Sequence, residues 1–445
     1  MFENLVGLQP KYFEERNNKY LIIWPEIPNW LVVDKELSEI IKKFDSKTLI
    51  NEIIKTNKRK DEKIKETIQK LVDVGVIFDK NKGLKIRENK EEIDDVCIHT
   101  TLRCNLKCKT CYNIRVKPPK KELSENEIKN FLDQTVEFIS DKCCLSILGG
   151  EPLLVPNKTL EIAEYAKELG FKWRNISTNG TLITRDFAKK AKDIGLQVQV
   201  SLDGECAETN DFFRGKGSFE KTTEGVKILV EEGAYSVLCM TYHSGNFHKL
   251  EDYYKLAIKL GVDETRFAPL KYIGGGTQVS VKKIPLSEMI KRSYNMFKEN
   301  PNFLKLAGRD HFSTFAASCK LATKTSYCGT GSRMVLLDSD GEIYPCVNHY
   351  LPEFKAGNIN EKSFSEIWME SSILKKIREI YPIDKRNKKC SNCVVRHWCL
   401  GGCRGETYQV THSLNSCAID CAEIKKAVIE MFWLLSGDAS FCTKK

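Results

Sequence analysis

Cys104, Cys108 and Cys111 stand within eight residues, spaced C-x3-C-x2-C, with Tyr112 directly after them. Three thiolates this close can hold three irons of a 4Fe–4S cube. The fourth iron then has no protein ligand and can bind a small molecule. A structural zinc knuckle is the plain alternative. Zinc usually takes four ligands in paired C-x2-C units, and no fourth ligand lies near this loop. The spacing therefore favours a cluster with one open corner.

A second array, Cys390-x2-Cys393-x5-Cys399-x3-Cys403, follows near the C-terminus. Upstream of it lie Cys319, Cys328 and Cys346, with twelve residues between Cys328 and Gly341 and four between Gly341 and Cys346. C-x2-C pairs also suit zinc, but two zinc sites leave the first loop unexplained. Eighteen cysteines in a chain without a basic-then-apolar signal segment argue for metal rather than disulfides. Cys97, Cys143, Cys144, Cys206, Cys239 and Cys442 join no motif and read as free thiols. The seven histidines form no spaced pair, so none is assigned as ligand or base.

Four loop segments carry further candidates. In Gly149-Gly150-Glu151-Pro152 the glycines allow close backbone approach to a ligand, and the carboxylate can receive an ammonium group. Ser177-Thr178-Asn179-Gly180 and Ser201-Leu202-Asp203-Gly204 end predicted strands, although Asn-Gly and Asp-Gly also mark ordinary turns. Arg214 offers a cation. Gly274-Gly275-Gly276 reads as a plain loop.

Positioning these loops requires a strand–helix alternation, and residues 96–268 supply one. Strands are predicted at 96–102, 144–148, 173–177, 197–202, 237–242 and 265–267, with helices at 124–139, 160–169, 185–194 and 225–232. Such repeats imply a parallel sheet with helices outside, and chemistry at the strands' C-terminal ends. Before them, residues 1–90 read as a separate block: strands at 19–24 and 30–33, helices at 35–44, 46–55 and 61–74, then a wing from 76–78 and 84–86. The charged run 87–92 reads as a linker, and a last helix is predicted over 422–435.

The cysteine loop with its aromatic residue, the GGEP segment and the strand-end tetrapeptides resemble the radical S-adenosylmethionine (SAM) superfamily. The C-terminal array resembles the SPASM extension found in many radical SAM maturases. The resemblance implies an α/β fold, with a partial (β/α)6 barrel over 95–309 and a SPASM domain over 310–445. It implies three 4Fe–4S clusters. Cys104, Cys108 and Cys111 would hold the first, whose open iron chelates SAM and passes an electron that splits it to a 5′-deoxyadenosyl radical. Cys319, Cys328, Cys346 and Cys403 would hold the nearer auxiliary cluster. Cys390, Cys393 and Cys399 would hold the farther one with Cys417, which is preferred to Cys421 because it precedes the last helix. SAM would meet Tyr112, Gly149, Gly150, Glu151, Ser177, Asn179, Ser201, Asp203 and Arg214. In its order of strands, helices and wing, the winged-helix-like first block resembles the RiPP recognition element. That domain captures precursor-peptide leaders as an added strand on a sheet edge.

The expected activity is that of a peptide maturase installing an intramolecular cross-link, a thioether ahead of a carbon–carbon bond. Auxiliary clusters would accept the electron left by a two-electron oxidation. The alternatives are a formylglycine-forming sulfatase maturase, a peptide epimerase, or a non-catalytic electron carrier or DNA-binding regulator. The expected partners are a ribosomally made precursor peptide and an external reductant such as flavodoxin or ferredoxin. The formal charge of +10 falls to about +5 with three clusters bound, and basic residues are dispersed, so no nucleic-acid partner is expected. No stretch reaches the roughly 18 apolar residues of a membrane span, so neither a membrane partner nor any location but the cytoplasm is expected.

Overall fold

The computed structural model describes residues 4–55, 62–88, 90–113, 117–308, 324 and 328–437. In the first block, β1 (Leu5–Gly7) precedes a three-stranded antiparallel meander of β2 (Tyr12–Arg16), β3 (Lys19–Trp24) and β4 (Asn29–Asp34). Three helices follow: α1 (Lys35–Ile41), capped by the Asp34 side chain, α2 (Ile50–Lys55) and α3 (Glu62–Asp73). β3 is apolar at consecutive positions because both its faces are covered. Tyr20, Ile22 and Trp24 pack on the block's own helices, while Leu21 and Ile23 join the main core.

Two expectations for this block are corrected. The wing strand β5 (Ile77–Asp79) pairs with β1, with Leu5 opposite Asp79, and residues 84–86 form no strand. Gly83, at φ +69°, turns the chain away after β5, so the hairpin partner comes from the N-terminus instead. Nor does the block stand apart. Trp30 of β4 stacks on Phe432 of the terminal helix (Cys421–Gly437) at 4.7 Å, and Arg16 pairs with Glu430 at 2.9 Å.

The next six strands are parallel and in chain order: β6 (Ile93–His99), β7 (Ile139–Leu148), β8 (Trp173–Thr178), β9 (Gln197–Ser201), β10 (Ser236–Tyr242) and β11 (Glu264–Pro269). Between them run helices such as α4 (Glu125–Thr135), whose Ser124 and Glu127 form a reciprocal capping box. Gly195, Gly233 and Gly261 end three of the crossover helices in the left-handed conformation and return the chain to the sheet.

The C-terminal part is fused to this sheet. β12 (Met334–Leu337) pairs in parallel with β6, and β13 (Glu342–Tyr344) and β14 (Gly357–Asn358) extend it antiparallel to a nine-stranded sheet. Gly341, at φ +92°, makes the β12–β13 turn, and a side chain there would collide with Asn360. This turn is what the fixed Gly341–Cys346 spacing serves: it returns the chain so that Cys346 follows β13. No helix among the described residues is long and apolar enough to cross a membrane.

Candidate active site and cysteine clusters

A cavity of about 600 Å³ opens at the C-terminal ends of the barrel strands. Cys104, Cys108 and Cys111 line it from the loop after β6, and Gly149 and Gly150 from the loop after β7. Ser177, Asn179 and Ser201 enter at the ends of β8 and β9, and Arg214 and Tyr112 complete the wall. Val347 and Asn348, which directly follow Cys346, reach the same cavity from the C-terminal part. Glu151 and Asp203 are wholly buried and stand behind the lining.

The cysteine loop is pinned on several sides. Lys109 N donates to Phe213 O at 2.8 Å, and Asn105 exchanges side-chain bonds of 2.8 Å with Asn179 and Thr181. Gly150 N and Glu151 N donate to Thr101 O and Arg103 O, both at 2.8 Å. A Cβ at Gly149 would sit 2.2 Å from Thr101 O, and one at Gly150 2.3 Å from Arg103 O. These glycines thus admit the backbone that leads into the cysteine loop, besides facing the cavity. Gly274-Gly275-Gly276, read from sequence as a plain loop, does similar work. Gly275 N donates to Cys111 O at 2.8 Å, and side chains at Gly274 or Gly275 would strike Tyr112 O or Lys109 O. Three glycines just after the last barrel strand were the available signal.

The charged groups are arranged in layers. Arg214 pairs with Asp203 at 2.8 Å, and Asp203 accepts from Thr241 N at 2.8 Å. Burial opposes the Arg214 charge, but Asp203 outweighs it and holds the guanidinium above its ordinary value. Glu151 accepts from Thr178 Oγ1 at 2.6 Å, Asn179 N at 2.8 Å and Leu153 N at 2.9 Å. Its burial still wins over these bonds, so its carboxyl lies above the usual carboxylate value. Burial likewise raises all three thiols, Cys108 to about 11.

One feature escaped the sequence reading. His99, at the end of β6, is fully buried, with Nε2 3.0 Å from Tyr112 Oη and Nδ1 2.9 Å from Asp338 Oδ1. Tyr350 Oη donates to the other oxygen of Asp338. This line joins the cysteine loop to the residue that follows β12. A lone histidine in sequence gives no hint of it.

Around the second array, Cys328, Cys346 and Cys403 are mutual neighbours, and Cys346 Sγ lies 3.3 Å from His349 Nδ1. Burial pushes Cys346 to about 12 and His349 down to about 3, so the imidazole is neutral. Cys319 and Cys442 lie outside the described residues. Cys390, Cys393, Cys399 and Cys421 line a separate small cavity, while Cys417 Sγ lies 3.5 Å from Cys390 Sγ and outside that lining. Among the described residues every cysteine is free, and no three His, Cys, Asp or Glu side chains converge on one point as a single metal ion needs. The thiols instead line cavity walls, which suits a polynuclear cluster.

The radical SAM superfamily model matches residues 98–257, and the SPASM iron–sulfur cluster-binding domain model matches 328–394. The AdoMet-dependent heme synthase of Methanosarcina barkeri is 30% identical over 328 residues, covering 70% of this chain and 91% of that protein. The chain belongs to the radical SAM superfamily and carries a SPASM domain. It is therefore an enzyme whose family cofactors are SAM, a SAM-binding 4Fe–4S cluster and auxiliary clusters. Mycofactocin maturase MftC of Mycolicibacterium smegmatis is 29% identical over 73% of the chain and 81% of that protein. The fold matches SuiB of Streptococcus suis bound to precursor peptide SuiA with a TM-score of 0.61, at 17% identity over 94% of the chain and 98% of SuiB. It also matches anSMEcpe with bound AdoMet with a TM-score of 0.63, at 19% identity over 78% of the chain and 99% of that chain.

Proposed function

We propose that this radical SAM enzyme is a peptide maturase. It holds the leader of a ribosomally made precursor on residues 1–90 and installs an intramolecular cross-link in the core peptide, a thioether ahead of a carbon–carbon bond. The observation that carries this reading is the first block itself. The meander β2–β3–β4 pairs with no further strand at its outer edges among the described residues, so an extended peptide can add there. Its attachment to the terminal helix fixes that edge relative to the barrel, which raises the effective concentration of a tethered core. The match to SuiB covers 94% of the chain and so takes in most of this block, whereas the anSMEcpe match covers 78%. The MftC relatives are maturases by name.

In this reading Cys104, Cys108 and Cys111 hold the first cluster, which with SAM supplies one-electron cleavage and hence hydrogen-atom abstraction. Arg214, steadied by Asp203, offers its charge to the SAM carboxylate. Glu151 fixes Asn179 and Thr178 beside the cavity and supplies negative charge behind the glycines for an ammonium group. Ser177, Ser201 and Asn179 give polar contacts, and Tyr112, held by His99, closes the cluster side. Cys328, Cys346 and Cys403 hold the nearer auxiliary cluster with Cys319. The farther one takes Cys390, Cys393 and Cys399, and the cavity lining supports Cys421 over Cys417 as its fourth ligand. An external flavodoxin- or ferredoxin-type protein in the cytoplasm supplies the electron.

Co-expression with the candidate precursor followed by mass spectrometry tests the proposal. Loss of two hydrogens per event supports cross-linking, an unchanged mass indicates epimerisation, and an unmodified peptide rejects both. The 30% identity to a heme synthase favours a second reading, action on a heme precursor. Spectral titration of the reconstituted chain with a porphyrin, against one with the precursor peptide, separates the two.

A further inference from the structure

Two arginines are buried in the SPASM part without a carboxylate partner. Arg386 is 5% exposed and Arg404 1%. Arg404 donates to the carbonyls of Gly401 and Leu414, both at 2.9 Å, and Arg386 to that of Tyr381 at 2.9 Å. Arg386 Nε and Nη1 and Arg404 Nε are buried with no hydrogen-bond partner. Among the described residues neither guanidinium forms an ion pair, and both lie against the Tyr381 ring, at 5.3 and 5.2 Å. A buried unpaired cation costs several kcal/mol even after relaxation, and two on one ring cost more.

Their surroundings name the missing counter-charge. Arg386 lies beside Cys390 and Cys328, and Cys328 also has Arg404 next to it. Room for the Arg386 guanidinium is made by Gly401, at φ +80°, between Cys399 and Cys403: a Cβ there would fall 2.1 Å from Nη1. Three or four thiolates around a 4Fe–4S core leave a net charge of about −1 to −2, which two guanidiniums balance.

We propose that Arg386 and Arg404 form a buried cation pair that compensates the nearer auxiliary cluster and sets its reduction potential, with Arg386 also facing the farther cysteine set. This rests on the cluster assignment above. Taking up one electron makes the cluster more negative, so fixed cations favour the reduced state. Removing one disfavours reduction.

The test uses the full chain reconstituted with iron and sulfide without oxygen, as wild type and as Arg386→Gln, Arg404→Gln, Arg386→Lys and Arg404→Lys. Iron is counted, and the auxiliary signals, identified as those surviving Cys104→Ala, Cys108→Ala and Cys111→Ala together, are titrated with a one-electron reductant. Each Gln variant is expected to lower the reduced-to-oxidised ratio of the nearer cluster at a fixed potential at least tenfold, about 59 mV for a one-electron couple. The Lys variants recover at least half of that shift. Loss of about four irons in the Gln variants, but not the Lys variants, supports the same charge role. Unmoved potentials with full iron, or equal iron loss in Gln and Lys variants, overturn it. A wild-type chain holding only one cluster instead rejects the underlying assignment.

Discussion

The two cysteine regions solve opposite problems. At the barrel mouth three thiols face a cavity of about 600 Å³, and the nearby arginine is already paired with Asp203. In the SPASM part the cysteines stand among buried arginines that have no acidic partner. The first arrangement leaves room and a spare coordination position, so its ligands suit a reacting small molecule. The second encloses charge, as suits a cluster that stores or relays electrons. The same residue type therefore serves two functions, set by what surrounds it.

The largest expected effect breaks the first side of this contrast. Replacing Cys104, Cys108 and Cys111 together by Ala should abolish 5′-deoxyadenosine formation, measured chromatographically, while leader binding by the same chain persists. Next, Cys421→Ala should lower iron content by about four atoms per chain while Cys417→Ala leaves it near wild type; the reverse result would return the assignment to Cys417. Gly150→Ala sharpens the account of the barrel mouth. Its Cβ meets the Arg103 carbonyl, so a loss of about 1–3 kcal/mol in thermal unfolding, with weaker SAM binding, is expected.

The smallest effect concerns the line joining the two regions. Burial works against the Asp338 charge, but His99 and Tyr350 outweigh it and hold its carboxyl below the usual value. A depressed carboxyl stabilises the fold above its unfolded value, about 3.9, and loses that contribution as pH falls through the folded one. Asp338→Asn should thus lower the melting temperature at neutral pH, with a gap to wild type that narrows below about pH 4.

Much of this was legible in the sequence because local pattern and tertiary role agree. The six barrel strands appear where apolar runs alternate with helical periodicity, and the loops bearing Cys104, Gly149, Asn179 and Ser201 fall at their ends. What was not legible depends on partners distant in the chain. β1 is three residues long and exists through pairing with β5. β12 joins β6 across some 240 residues and so fuses two regions that sequence reads as separate. His99, Arg386 and Arg404 carry no motif; only burial beside Tyr112, Cys328 and Cys390 gives them meaning. The charged linker hid the docking of the first block, since Trp30 and Phe432 meet only in three dimensions.

The central claim is an open-cornered cluster at Cys104, Cys108 and Cys111, and electron paramagnetic resonance of the reduced chain with and without SAM tests it most directly. The account predicts that SAM alters the signal of one cluster, and that this signal is absent from the triple Ala variant. A spectrum indifferent to SAM, or one unchanged by removing those cysteines, would contradict it.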